Sequence, residues 1–123
     1  MPVRDYRDLE VWQEAMKLVV LIYENTKSFP KEEMYGLTSQ LRRAGVSIPS
    51  NIAEGQGRRS TKEFLNHLSM ARGSALETQT QIEIGIRLRY LNEQTAAALN
   101  QQISTVIRLL NGLMNALDRK LES

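Results

Sequence analysis

The side chains best equipped for chemistry are one histidine, a set of arginines and a scatter of carboxylates, with no cysteine anywhere in the chain. A di-iron carboxylate centre in a helical protein needs two Glu-x-x-His pairs and further inward glutamates. His67 is the only histidine, and Glu63 precedes it by four positions rather than three, so that set cannot be assembled. Without a thiolate there is no zinc–cysteine site, iron–sulfur cluster, cysteine nucleophile or disulfide framework. A nucleophile elbow, a phosphate-binding P-loop and a zincin motif are missing, and Gly55-Gln56-Gly57 is too short for a dinucleotide fingerprint. The sequence therefore predicts a non-enzymatic protein with no catalytic residues, no metal and no cofactor.

The constellation with chemical content runs from Arg42 to Arg89. It holds Arg42, Arg43, Arg58, Arg59, Lys62, Arg72, Arg87 and Arg89 against Glu54, Glu63, Glu77 and Glu83, eight bases to four acids, while the whole chain is only +2. Arg58 and Arg59 stand just ahead of Ser60-Thr61-Lys62-Glu63, which has the spacing of a capping box and so marks a helix start. Free amides, the positive end of a helix dipole and two guanidinium groups together favour phosphate. These eight residues are the candidate contacts to an RNA or DNA backbone; the other reading pairs them with Glu54, Glu63 or a neighbouring subunit. Asn51, Glu54, Arg72 and Glu77 lie near apolar stripes and are read as a structural polar network that fixes helix register. Trp12, Tyr23 and Phe64 fall on apolar stripes and are predicted in the core. No set of rings is placed to stack bases, so contacts to nucleic acid would be mostly to phosphate.

Four segments must position these groups, each with apolar residues spaced by three and four, and none with period-two alternation. The predicted fold is all-α, an antiparallel up-down-up-down four-helix bundle formed by residues 1–123 as one domain. The first helix, about Asp8 to Thr26 with Asp8 as N-cap, has two apolar stripes: Leu9, Trp12, Met16, Val19 and Tyr23, and Val11, Ala15, Leu18 and Ile22. Two stripes exceed what one seam hides, so the second set, Val11, Ala15, Leu18 and Ile22, is the candidate oligomer interface. The second helix starts near Glu32 or Glu33, with a kink or break expected between Gly45 and Ser50 because Pro49 removes a donor and crowds the preceding turn. The third runs from Ser60 to about Arg89, with Gly73, Ser74 and Ala75 allowing close approach. The fourth follows the Tyr90-Leu91-Asn92 turn with a three-four series from Ala96 to Leu121. Met1 to Asp5 shows no apolar leader, and the longest apolar run, Leu18 to Tyr23, is too short to span a bilayer, so a soluble cytoplasmic protein is expected.

Several segments also resemble a known family. They are Leu9 to Met16, Phe29-Pro30-Lys31-Glu32-Glu33, Gln40 to Ala44, Ser47-Ile48-Pro49-Ser50-Asn51-Ile52-Ala53-Glu54-Gly55, Arg58-Arg59-Ser60, and Ala71-Arg72-Gly73-Ser74 with Glu77. In order and content they are similar to the 23S rRNA intervening-sequence proteins, bacterial four-helix bundles often encoded within insertions in 23S rRNA genes. The resemblance implies a five-membered ring, a homopentamer. It also implies kinship with the accessory variability protein of diversity-generating retroelements, a similar bundle that partners a reverse transcriptase and binds nucleic acid; the alternative function is therefore a protein-interaction scaffold or accessory subunit for a reverse transcriptase.

Overall fold

A computed structural model describes residues 5–122; residues 1–4, part of the segment read for a leader, and residue 123 lie outside the described residues. Four helices follow one another: α1, Glu10–Thr26; α2, Leu37–Gln56; α3, Thr61–Arg87; and α4, Glu93–Glu122. Each packs on its sequence neighbour, and α4 returns to α1, so α1 sits diagonally from α3 and touches only α2 and α4 among the helices. The chain runs up, down, up, down, as the short connections at residues 57–60 and 88–92 require.

The core is a continuous apolar cluster drawn from all four helices. It contains Val11, Ala15, Leu18 and Ile22 of α1, Leu41, Ile48 and Ile52 of α2, Leu68, Ala71, Ala75 and Ile82 of α3, and Leu99, Ile103, Val106 and Leu110 of α4. Every one lies on the three-four rhythm of its helix, which keeps it on the face turned to the others. Two glycines let backbones close in. A Cβ on Gly45 would stand 2.7 Å from Ile22 Cδ1 on α1, and one on Gly55 would stand 2.5 Å from His67 Cβ on α3.

The helix ends differ from expectation for local reasons. α2 begins at Leu37 rather than Glu32 because residues Lys31–Glu33 form a 3-10 turn and Glu33 then serves the helix end from outside. Its carboxylate accepts from Leu37 N–H (3.0 Å) and from Tyr90 Oη–H (2.9 Å), joining the α1–α2 connection to the α3–α4 connection. The Leu37 amide, and next the Tyr90 hydroxyl, hold the Glu33 carboxyl below its ordinary 4.5, and the same bond pushes the Tyr90 phenol up. A carboxyl lowered in the folded state contributes stability present above the unfolded pKa and lost as pH falls through the folded one. Glu33→Gln should therefore destabilise at neutral pH, and its deficit against the parent should shrink as acid melts descend below pH 4.5. A deficit unchanged at low pH would count against this role.

Asp8 does not cap α1. It accepts from Asp5 N–H (3.3 Å) and closes a 3-10 turn over Tyr6–Asp8, while the α1 N-cap position falls to Leu9, which makes no side-chain cap. Ser60 does cap α3, accepting from Glu63 N–H at 3.1 Å. Pro49 does not break α2, which runs unbroken through it. Ile48, Pro49 and Ile52 are all buried, and Gly45, the residue whose carbonyl loses its donor, is pressed against Ile22; tertiary packing holds the turn. At the end of α3, Arg89 takes the left-handed conformation (φ 64°), with Tyr90 N–H on the Gly85 carbonyl and Arg89 N–H on that of Ile86. That is the glycine position of a Schellman ending, filled here by arginine.

α4 is the longest helix. Its Gln102 donates to the Glu14 carbonyl (2.9 Å), which sets Val106 level with the first turn of α1. The remaining 16 residues, roughly 24 Å of helix, run past α1 along α3.

Candidate assembly and polyanion surfaces

The two stripes of α1 are sorted opposite to expectation. Val11, Ala15, Leu18 and Ile22 are at most 4% exposed within the protomer, so they are core and cannot serve as an oligomer interface. The other stripe is the one turned outward: Met16 and Tyr23 are about two-fifths exposed and Leu9, Trp12 and Val19 are half-buried, with Val20, which neither stripe included, 52% exposed beside them. Trp12 and Tyr23 are thus surface residues lying over the core rather than inside it. The spacing alone could not separate the stripes, since both keep the same rhythm; the packing of α2 and α4 decides which is covered. The outward stripe borders two shallow grooves. One, of about 300 Å³, runs between Trp12, Met16 and Val19 and the α2 residues Val46, Pro49 and Ala53. The other, of about 500 Å³, lies between Met16, Lys17 and Val20 and Gln102 of α4.

The eight basic residues do not form one patch. Arg58, Arg59 and Lys62 sit at the α2–α3 end, and Arg87 and Arg89 at the opposite end of α3, a helix of 27 residues and therefore about 40 Å long. Half of them are engaged at home. The Arg42 guanidinium donates to Thr26 Oγ1 (2.9 Å) and stacks on the Tyr23 ring at 4.6 Å. Arg58 pairs with Glu54 (3.2 Å), Arg87 with Glu83 (3.1 Å), and Arg72 donates to Asn111 Oδ1 (2.9 Å). Arg43, Arg59, Lys62 and Arg89 are exposed and carry no ion pair or side-chain hydrogen bond among the described residues. Linear proximity made a cluster that the antiparallel fold pulls apart.

The predicted network of Asn51, Glu54, Arg72 and Glu77 does not close either, because those that bond take partners outside the set. Asn51 donates to the Ser47 carbonyl and hydroxyl, and Ser47 bonds Ser74 across the α2–α3 seam at 2.9 Å. Glu54 takes Arg58, Arg72 takes Asn111, and Glu77 has no partner among the described residues. The hydroxyl bridge Ser47–Ser74 is a polar link that the spacing did not predict; its signal is serine at facing registers of two antiparallel helices. A polar groove of about 600 Å³ lies over it, lined by Tyr35, Arg43, Ser47, Ser74 and Glu77.

His67 Nδ1 is 2.9 Å from the Glu63 carbonyl, an acceptor, so that nitrogen carries the proton. Among the described residues no group of three or more His, Cys, Asp or Glu is arranged to hold a metal ion, and no helix is long and apolar enough to cross a membrane.

The chain is similar to a crystal structure of a protein of unknown function from the S23 ribosomal protein family of Bacteroides thetaiotaomicron VPI-5482. The two share 24% identity and a TM-score of 0.78, over 85% of this chain and 95% of that one. At that identity the likeness supports the fold alone. No match was found among curated proteins. The model of the 23S rRNA-intervening sequence protein family matches residues 7–112, most of the chain and all four helices except the end of α4, and the protein belongs to that family.

Proposed function

We propose that this protein is a non-catalytic, self-assembling bundle of the cytoplasm, whose copies join into a ring, a pentamer by its family resemblance, and hold RNA or DNA by the phosphate backbone. The observation that carries the reading is the outward apolar stripe of α1, on which Met16, Val20 and Tyr23 stay about two-fifths to one-half exposed beside half-buried Trp12 and Val19. A contiguous exposed apolar strip is costly in water and characteristic of contact surfaces. Assembly also bears on the ligand. One protomer offers only Arg43, Arg59, Lys62 and Arg89 as free cations among the described residues of the basic stretch. A ring repeats that weak set around an axis, and linked weak contacts add as avidity.

Sedimentation velocity tests the first half: the parent chain should run as a multiple of its 14.0 kDa protomer, and Met16→Glu with Val20→Glu should return it to one protomer without loss of helicity. A parent that stays monomeric at micromolar concentration ends the reading. For the second half, binding of a generic RNA or DNA should weaken steeply with salt. Arg59→Ala with Lys62→Ala should flatten the log–log slope by roughly 0.7–0.9 for each phosphate that a copy no longer neutralises. No binding at low salt, with assembly intact, removes the nucleic acid and leaves the ring.

A further inference from the structure

We propose that the polar groove between α2 and α3, at Tyr35, Arg43 and Glu77, is a binding site for an unpaired guanine base, carried by a free nucleotide or by a single strand. This goes beyond the phosphate contacts proposed above, which read no sequence, and it is tested separately from them.

The register of the two helices builds the site. Ser47 bonds Ser74 across the α2–α3 seam at 2.9 Å, and Gly55 lies against His67. About one turn from that serine pair, back along α2 and onward along α3, Arg43 stands level with Glu77 in the lining of the groove. The two charges are opposite in sign and exposed, and neither has an ion pair or hydrogen bond among the described residues. A further turn along, Gln40 of the groove stands level with Gln81. Gln81 is 6% exposed, and its Oε1 is buried without a hydrogen-bond partner among the described residues. A buried acceptor without a donor is costly, so the α3 side of the groove is short of donors. The rim carries Tyr35, 96% exposed and free of ring contacts and hydrogen bonds among the described residues. Its turn is held from both sides. Gly36 N–H donates to the Glu33 carbonyl (2.9 Å), and the Glu33 carboxylate accepts from Leu37 and Tyr90.

These groups select among ligands. Glu77 repels a phosphate or an acidic peptide, and a small zwitterion would engage both charges but leave the ring unused. A nucleobase uses all three, with its face stacked on Tyr35. Guanine is the base whose edges match. Its N1–H and exocyclic amine lie side by side and suit a carboxylate, while O6 and N7 accept the paired donors of a guanidinium. Adenine and cytosine each set one amino group beside an acceptor nitrogen that a carboxylate repels, and uracil offers a single N–H between two carbonyls. The groove, about 600 Å³, falls within the size range of small-molecule sites.

Calorimetric titration of the full chain with GMP, AMP, CMP, UMP and inosine monophosphate tests the site, since the five share one phosphate and differ in the base. GMP should bind at least tenfold more tightly than AMP, CMP or UMP, and about tenfold more tightly than inosine monophosphate, which lacks the exocyclic amine. Glu77→Gln should erase that last difference. Tyr35→Ala should weaken every nucleotide by about tenfold, and Tyr35→Phe should restore it. All three changes are on exposed side chains, and helicity checks that each variant is folded. A short oligouridylate with one guanine, set against the same strand without it, separates the sources. A guanine preference confined to GMP makes the free nucleotide the ligand, and one that the strand shows, and Glu77→Gln removes, makes it the single strand. No guanine preference in either probe, or one that survives Glu77→Gln, overturns the inference. RNA held without preference for guanine does so while leaving the backbone reading standing, and GMP bound by a chain that holds no RNA does the reverse.

Discussion

Leu18→Ala is expected to lower protomer stability by about 3 kcal/mol, on the order of 10 °C in melting temperature, by the same amount at every protein concentration. Leu18 is fully buried, in the apolar cluster that α1 shares with the other three helices. Removing its branched end leaves a void that close-packed neighbours only partly fill, so the loss combines transfer and cavity costs. The concentration dependence separates the two uses a stripe of α1 can have. A residue in a subunit contact loses stability by mass action, and its deficit changes on dilution; a core residue's does not. Melts of parent and variant at concentrations about a hundredfold apart decide it. A deficit that varies with dilution would return Leu18 to the interface.

Gly55→Ala should cost about 2 kcal/mol, although alanine is the better helix former. The added carbon would meet His67 Cβ at 2.5 Å and Phe64 Cδ1 at 3.1 Å. The first of these belongs to the root of a side chain, so relief must come from separating α2 and α3 rather than from a rotamer change. The same substitution at Gly112, where nothing stands within 4 Å, should stabilise by up to about 1 kcal/mol. Denaturant titrations of the two variants should move in opposite directions. If both stabilise, the α2–α3 seam has slack that the geometry denies.

The four helices and the core were legible because burial in a bundle imposes a three-four rhythm, and Leu68, Ile82, Leu99, Ile103 and Leu110 could hardly be arranged otherwise. What was not legible is whatever depends on a neighbour in space. Val11 and Trp12 are adjacent and both apolar, yet one is in the core and the other on its rim, and only the approach of α2 and α4 decides between them. Arg58 and Arg87 belong to one basic stretch of sequence, but the length of α3 puts them at opposite poles. Pro49 carries a local instruction to stop the helix, and α2 continues through it between buried Ile48 and Ile52. Glu33 reads as the first turn of a helix and acts as a clasp between two connections. Gly73 reads as a means of packing inside the bundle, and in three dimensions it faces out.

The unequal helix lengths carry a consequence for motion. From about Leu113 onward α4 has only α3 beside it, and its apolar residues grade from half-buried Leu113 and Leu117 to half-exposed Leu121. A segment leaning on a single partner opens by local excursions far smaller than global unfolding. Amide protons there should exchange with deuterated solvent well ahead of those around Ile103, giving the molecule one quiet pole and one breathing pole. The breathing pole carries Arg59 and Lys62, so a polyanion that settled there and quieted the motion would lose part of its affinity to that ordering.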